Sequence, residues 1–373
     1  MSDKDGFKVT PWAVEGEIDY DKLVQEFGTQ LINDELLARI KRHTGDLHSM
    51  LKLKYFFSHR DFDWILDKYE KGEEFYLYTG RGPSGSIHLG HLMPWIFTKY
   101  LQDKFDAKLL FQITDDEKFL YHDSMSMDEI SQHAYENILD IIAVGFDPEK
   151  TKILIDTKHI KHLYPIAIEI AKRITFSTVK AVFGFQNSTN IGMISFPAIQ
   201  AAPCFLPSKI EGRQTPCLIP AAIDQDPYWR VTRDIAEKMG YYKPAQIHSK
   251  FLPGLGTRGK MSSSQPETAI FTTDDPELVE QKISNSFTGG QPTEELQRKL
   301  GANADICPVF WYLRYMFEEE KSSNERYVKC KSGGLLCHEC KHDLIGPAKS
   351  YMIEFKRKRE QAKNLVDKFI FED

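Results

Sequence analysis

The chain is expected to be an α/β protein, with a parallel sheet covered by helices on both faces and a helical region towards its C-terminal end. Three observations carry this. Short apolar runs at Phe75 to Thr79, Lys108 to Ile113, Lys152 to Ile155 and Cys217 to Ile223 alternate with segments of helical spacing, a pattern that builds parallel sheets. Ser126-Met127-Asp128-Glu129 is a capping box ahead of a helix from Ile130 to Val144, which Gly145 ends. Beyond Ser264 the chain turns helical and charged, beginning at Asp274-Asp275-Pro276-Glu277. At 373 residues, two or three domains are expected.

Up to about Lys71, short helical and irregular pieces alternate. Val9-Thr10-Pro11-Trp12 reads as extended, and Asp34 to Ile40 has helical spacing with Asn33 or Asp34 as its N-cap. Residues 1–71 are therefore expected to form an appendage packed on the next domain, residues 72–270. Within that domain the stretch from Tyr78 to Leu92 reads as strand, glycine-rich turn and helix start. Gly80, Gly82, Gly85 and Gly90 fall within eleven residues, letting the backbone approach a guest closely. A helix beginning there aims unpaired N–H groups at that guest, which favours an anion. His88 and His91 lie on one helical turn and can both reach it. An ordinary strand-to-helix turn would explain the stretch taken alone.

A second feature, Gly259-Lys260-Met261-Ser262-Ser263-Ser264, is a small cationic loop. A lysine with three hydroxyls can grip phosphate, although a surface linker would have the same composition. Gln112 to Glu117, Gln200 and Asp224-Gln225-Asp226 are polar clusters expected beyond the carboxyl ends of strands, where parallel sheets bind ligands. A domain boundary is expected near Gln265 to Asp275, leaving residues 271–373 as the helical domain.

Hydrophobic content of 41% and charged content of 27% are those of a soluble globular protein. The polar start and the lack of a membrane-length apolar run lead us to expect a cytoplasmic protein with no membrane association. A net charge of −6 argues against a binder held mainly by electrostatics to DNA or RNA. A basic run from Lys349 to Lys363, including Lys356-Arg357-Lys358-Arg359, is either a solvated helix face or an RNA contact. Cys307, Cys330, Cys337 and Cys340 crowd the last fifth of the chain, which in a reducing compartment suggests a metal site before disulfides.

Taken together these segments resemble class I aminoacyl-tRNA synthetases, specifically the tryptophanyl-tRNA synthetases of archaeal and eukaryotic type. The opening turn matches the family's first signature as His88-Leu89-Gly90-His91, and the distal loop its second as Lys260-Met261-Ser262-Ser263-Ser264. Between them, Tyr78-Thr79-Gly80-Arg81, Gln112 to Lys118, Pro197 to Pro203 and Ala222 to Pro227 resemble that type's pocket segments in the family order. Two departures stand out. Ser264 closes the loop where some members carry a second lysine, and Pro83 to Ile87 is shorter than in some eukaryotic relatives.

The resemblance implies a Rossmann-like parallel-sheet catalytic domain and an all-helical anticodon-binding domain whose basic run faces RNA. It implies activation of L-tryptophan with ATP and Mg²⁺, expelling pyrophosphate, then transfer to the 2′-hydroxyl at the 3′ end of tRNA(Trp). Catalytic roles fall on His88, His91, Arg81 and Lys260. ATP contacts fall on Gly80, Arg81, Gly90, His91, Asp224 and Lys260 with Met261, Ser262, Ser263 and Ser264. Tyr78 and Gln112 would meet the indole N–H, while Glu117, Gln200 and Gln225, with Lys118 nearby, would meet the ammonium and carboxylate. The four cysteines resemble the spacing that a subset of these enzymes uses for a [4Fe–4S] cluster, with Zn²⁺ as the alternative and His338 and His342 as substitute ligands. A homodimer is expected. The competing readings are a tyrosyl-tRNA synthetase, a small-molecule nucleotidylyltransferase and a non-catalytic RNA-binding homologue.

Overall fold

The computed structural model describes residues 7–9, 14–16, 19–257, 259, 261 and 265–372. Thr10, Pro11 and Trp12 of the expected extended segment, and Lys260, Ser262, Ser263 and Ser264 of the distal loop, lie outside the described residues. The strands are β1 (Phe7–Val9), β2 (Val14–Gly16), β3 (Gln30–Leu31), β4 (Phe56–Arg60), β5 (Tyr76–Arg81), β6 (Lys108–Ile113), β7 (Thr151–Ile155), β8 (Cys217–Ala222) and β9 (Ala245–Ser249). β1 and β2 pair antiparallel with each other. The other seven form one sheet in the order β3-β4-β9-β8-β5-β6-β7.

Five strands, β9-β8-β5-β6-β7, run parallel, and the chain leaves β5 towards β6 and β7 before returning to β8 on its other side. That reversal makes a crevice between the carboxyl ends of β5 and β8. Register widens it. β5 pairs with β6 along its whole length to Arg81↔Ile113, but with β8 only at Tyr76↔Cys217 and Leu77↔Leu218. Past Leu77 the backbone ladder between the two central strands ends, with the Thr79 hydroxyl donating across to the Pro220 carbonyl at 3.3 Å, and the cavity opens beyond.

The strands are apolar on both sides because both faces are covered. Leu77, Leu109, Phe111, Ile113 and Ile153 point into one core with Trp95, Phe97 and Leu101. Their neighbours Tyr76, Tyr78, Leu110 and Leu154 point into another with Leu163, Phe196 and Phe205. The four parallel strands read from the sequence are all present. The antiparallel edge and β9 were missed, because the residues that pair them are polar yet buried. Ser58 Oγ lies 3.0 Å from His248 Nδ1, and His248 Nε2 lies 2.9 Å from Gln246 Oε1. Asp226, fully buried, binds Arg60 at 2.6 Å and Arg230 at 3.2 Å. Its role is to fasten β4 to the helix Asp226–Ala236, which removes it from the ligand-facing cluster expected of it.

The Ser126 capping box opens the helix Met127–Ala143, and Asn33 caps the helix Asp34–Thr44. After β9 the chain is helical. The long helix Cys337–Ala362 lies between Pro276–Ser284 and Met127–Ala143, and its Leu344, Ala348, Met352 and Phe355 enter the same core as Phe97 and Phe111. The chain then returns to the sheet edge, where the Phe371 N–H donates to the Ile153 carbonyl at 2.9 Å. The basic run is ion-paired within the chain. Lys349 pairs with Glu280, Lys356 with Asp275, Arg357 with Glu354, Arg359 with Glu136 and Asp140, and Lys363 with Glu360. Most of that charge is thus neutralised within the chain, rather than presented unpaired to RNA.

Candidate active site

A cavity of about 300 Å³ opens at the divergence of β5 and β8, within the size range of small-molecule sites. Tyr78, Gly80, Arg81, His88, Gly90 and His91 line it from the β5 side. Glu117, Lys118, Gln200, Asp224, Gln225 and Met261 complete it. Gln112 sits behind Tyr78, wholly buried. The described residues drawn from the two signatures and the pocket segments therefore meet in one place.

At the mouth, the helix Leu89–Phe105 begins directly after His88, which holds extended geometry. The His88 and His91 rings stack, with centroids 3.6 Å apart and planes 16° from parallel. Gly90 packs tightly here: a Cβ would stand 3.2 Å from the His88 ring, which would have to shift by a few tenths of an ångström, and 3.6 Å from the Met261 side chain. Arg81 bridges this turn to the next helix. Its Nη1 lies 3.1 Å from His91 Nε2, and its Nε donates to Asn137 Oδ1 at 3.2 Å. Guanidinium only donates and a neutral imidazole accepts at one nitrogen, so His91 serves either Arg81 at Nε2 or the His88 backbone N–H, 3.3 Å from Nδ1, and not both at once. Asn137 in turn donates to the Gly85 carbonyl at 3.0 Å, holding the turn in place. Burial lowers the Arg81 pKa to about 10 against the opposing pull of Glu117 and Asp140, and the group stays cationic at neutral pH. The mouth thus offers a helix N-terminus, two imidazoles and a fixed cation, a set of donors suited to phosphate.

The inner end is an aromatic and amide wall. The Tyr78 hydroxyl lies against two acceptors, Gln112 Oε1 and, at 2.9 Å, the Gln200 carbonyl, which share its one proton. Trp229 meets the Tyr78 ring edge-on at 5.3 Å. Glu117 lies between the two ends, with Lys118 Nζ at 2.8 Å and the Thr114 hydroxyl at 3.3 Å.

Sequence reasoning did not single out three residues of the site. Lys250 lines the cavity just past β9; burial lowers its pKa, and its ammonium lies over the Tyr20 and Phe57 rings. Finding β9 in the sequence would have revealed it. Trp229 follows the Ala222 to Pro227 segment by two residues and looks like an ordinary core aromatic. Asp156 binds Gln112 from behind and follows β7 by one residue, where nothing local marks it.

The four late cysteines line one small pocket beside Gln297 and Arg326. All are free thiols. Burial pushes Cys330 up to about 11 and Cys340 up to about 12, and raises Cys307 as well, so these three are protonated at neutral pH. The Cys337 thiol faces Gln297 Oε1 at 3.3 Å. His338 is exposed, 3.6 Å from Glu294. Among the described residues no group of three or more His, Cys, Asp or Glu side chains is disposed to hold a metal ion. The expectation of a cluster or zinc ion therefore finds convergent thiols without ligand geometry.

Comparison with known proteins is consistent across the chain. A family profile described as "tRNA synthetases class I (W and Y)" matches residues 70–349. The chain is 54% identical to the tryptophan–tRNA ligase of Saccharolobus solfataricus over 99% of its own length and 96% of that protein's. It superposes on the crystal structure of Plasmodium falciparum tryptophanyl-tRNA synthetase with a TM-score of 0.89 at 40% identity, covering 95% of this chain and 98% of that one. A tryptophan-bound tryptophanyl-tRNA synthetase from Encephalitozoon cuniculi gives 0.87 at 35% identity, covering 95% and 98%.

Proposed function

The chain belongs to the class I tryptophanyl-tRNA synthetases of archaeal and eukaryotic type and is a tryptophan–tRNA ligase; from that premise we propose how the residues of its cavity divide the work. ATP lies across the mouth, with its phosphates against His88, His91 and the N-terminus of the helix Leu89–Phe105. Arg81 faces the α-phosphate. Gly80, Gly90 and Asp224 border the nucleoside, and Lys260 with Met261, Ser262, Ser263 and Ser264 takes the pyrophosphate. Mg²⁺ accompanying the ATP phosphates held at His88, His91 and Arg81 would supply further neutralisation of their charge.

Tryptophan lies further in, its indole N–H directed at Tyr78 and Gln112 and its ring beside Trp229. Its ammonium and carboxylate are held by Glu117, Gln200 and Gln225, with Lys118 close by. The carboxylate oxygen attacks the α-phosphorus, the bond from that phosphorus to the bridging oxygen breaks, and pyrophosphate leaves. The enzyme contributes mainly alignment and charge stabilisation, with no covalent enzyme intermediate. The aminoacyl group of the adenylate then passes to the 2′-hydroxyl of the terminal ribose, releasing AMP. The observation that carries this reading is the continuity of one cavity from His88 and His91 at the mouth to Tyr78, whose hydroxyl meets Gln112 behind it.

ATP–pyrophosphate exchange with tryptophan and with tyrosine tests it. Tryptophan-dependent exchange is expected, and faster exchange with tyrosine would overturn the pocket assignment. A homodimer is part of the same reading, supported by exposed Phe119, Tyr121, Tyr164, Ile168, Phe176 and Ile191 on mutually packed helices. Patches of this kind mark protein contacts. A monomer in sedimentation equilibrium would remove that part. The reading also places the protein in the cytoplasm; no described helix is long and apolar enough to cross a membrane.

For Cys307, Cys330, Cys337 and Cys340 the proposal is a [4Fe–4S] cluster, with Zn²⁺ the alternative, supported by four soft donors around one pocket. Binding would have to displace thiol protons, and no catalytic step involves these residues. Iron, sulfide and zinc analysis of anaerobically prepared protein decides: zinc without iron rejects the cluster, and neither element rejects both.

A further inference from the structure

Gln112 is an amide with two dissimilar ends, and only one of them can accept an indole N–H. The side chain is wholly buried at the end of β6, so its orientation is set by protein neighbours rather than by water. On the cavity side stands the Tyr78 hydroxyl. On the far side stands Asp156, also wholly buried, with Oδ1 at 2.8 Å and Oδ2 at 2.9 Å from Gln112 Nε2. Adjacent strands supply the two residues: Gln112 pairs with Leu154 in β7, and Asp156 follows that strand by one residue. The Asp156 backbone N–H donates to the Ile113 carbonyl at 3.1 Å, fixing the aspartate against the end of β6.

Behind Asp156 lies a second carboxyl, Asp116. Burial first and then Asp116 push Asp156 far above the ordinary carboxylate range, while burial raises Asp116 to about 6. Asp116 is itself held by the Glu117 backbone N–H at 2.7 Å. A neutral Asp156 gives its proton to Asp116 and keeps its carbonyl oxygen for Gln112. Hydrogen bonds then run in one direction, from Asp156 O–H to Asp116 and from Gln112 N–H to Asp156. Gln112 Oε1 is left turned to the Tyr78 hydroxyl, on the cavity side.

We propose that Asp156 is a positioning residue for amino-acid selectivity: it holds Gln112 so that its carbonyl oxygen, and not its NH₂ group, faces the ligand ring. This rests on the assignment of Tyr78 and Gln112 to the indole N–H. A flipped amide would set its oxygen against the Asp156 carbonyl oxygen, acceptor against acceptor, and its NH₂ against the indole N–H of a bound ligand, donor against donor, where an unmatched buried polar group is costly. The site rejects ring systems lacking an N–H only while that oxygen stays in place, because rejection depends on a polar group left without its partner.

The test compares tryptophan with its benzothiophene analogue, in which sulfur replaces the indole N–H, by ATP–pyrophosphate exchange. Gln112→Ala is expected to lower the tryptophan-to-analogue ratio of kcat/KM. Asp156→Ala is expected to lower it by about tenfold, chiefly through KM for tryptophan, with KM for ATP unchanged. Asp156→Asn is expected to keep the ratio within about twofold, since its NH₂ can donate to Asp116 and its carbonyl can accept from Gln112. Asp156→Ser, one atom too short to reach Gln112, replaces the alanine variant if that one does not fold. The double variant Asp156→Ala/Gln112→Ala should match Gln112→Ala alone.

An unchanged ratio in Asp156→Ala or Asp156→Ser, while Gln112→Ala lowers it, would overturn the role of Asp156. Equal loss of kcat with both amino acids would also overturn it, as the mark of general loosening. An unchanged ratio in Gln112→Ala would instead overturn the indole assignment itself.

Discussion

Removing Arg81 is the perturbation whose effect follows most directly from the geometry. Its guanidinium is the buried cation between the signature turn and the helix Met127–Ala143, fixed by His91 at 3.1 Å and Asn137 at 3.2 Å. With a pKa of about 10 it is charged at neutral pH, and no side-chain reorganisation is needed to present it to a phosphate. Hydrogen bonds to charged groups contribute about 1.5–3 kcal/mol, which corresponds to about 10- to 150-fold in kcat/KM. Arg81→Ala should lose that amount for ATP, measured by exchange rates across ATP concentrations at saturating tryptophan. Arg81→Lys should lose less, because it keeps the charge but not the planar fork. Thermal melts of both variants separate the effect from unfolding, since Asn137 loses a partner. A folded Arg81→Ala whose kcat/KM for ATP stays within about twofold of the wild type would refute the assignment.

Three further outcomes are expected. Tyr78→Phe deletes the hydroxyl shared by Gln112 and the Gln200 carbonyl, so KM for tryptophan should rise by about tenfold while KM for ATP holds in the exchange assay. His248 is fully buried, and burial lowers its pKa to about 4. Because the unfolded chain takes up that proton near pH 6.5 and the folded chain does not, stability should fall from about pH 6.5 towards pH 4, by up to about 3 kcal/mol. The His248 part is read as the difference between urea melts of the wild type and His248→Gln across that window, because His48, lowered likewise to about 4, and Asp140 and Asp116, raised to about 7 and about 6, titrate there too. Leu344→Ala, in the core shared by the C-terminal helix and the sheet, should cost about 2–5 kcal/mol. Unfolding should remain a single transition by calorimetry, and a separate early transition for the helical region would contradict the shared core.

The parallel strands could be read from the sequence because each is buried on both faces and therefore runs apolar without interruption, as in Leu109-Leu110-Phe111. β4 and β9 could not be read, because Ser58, Gln246 and His248 satisfy one another across strands, and a buried polar pair looks like an exposed one until its partner is known. The same distance effect governs the charges. The run from Lys356 to Arg359 taken alone reads as a solvated helix face or an RNA contact, and Asp275, Glu136 and Asp140, which neutralise Lys356 and Arg359, lie far away in the chain. The signature turn was legible because glycines, histidines and helix start are consecutive. Asp156 was not, since its importance comes from the neighbouring strand and not from its own surroundings.

A crystal structure with a non-hydrolysable tryptophanyl-adenylate analogue tests the central claim most directly. The claim is that one crevice, opened where β5 and β8 part, holds both halves of the adenylate. The indole nitrogen should lie within about 3.2 Å of Gln112 Oε1 or the Tyr78 hydroxyl, with the phosphate mimic against Arg81 at the N-terminus of the helix Leu89–Phe105. An analogue bound elsewhere, or with its indole nitrogen turned away from Tyr78 and Gln112, would contradict it.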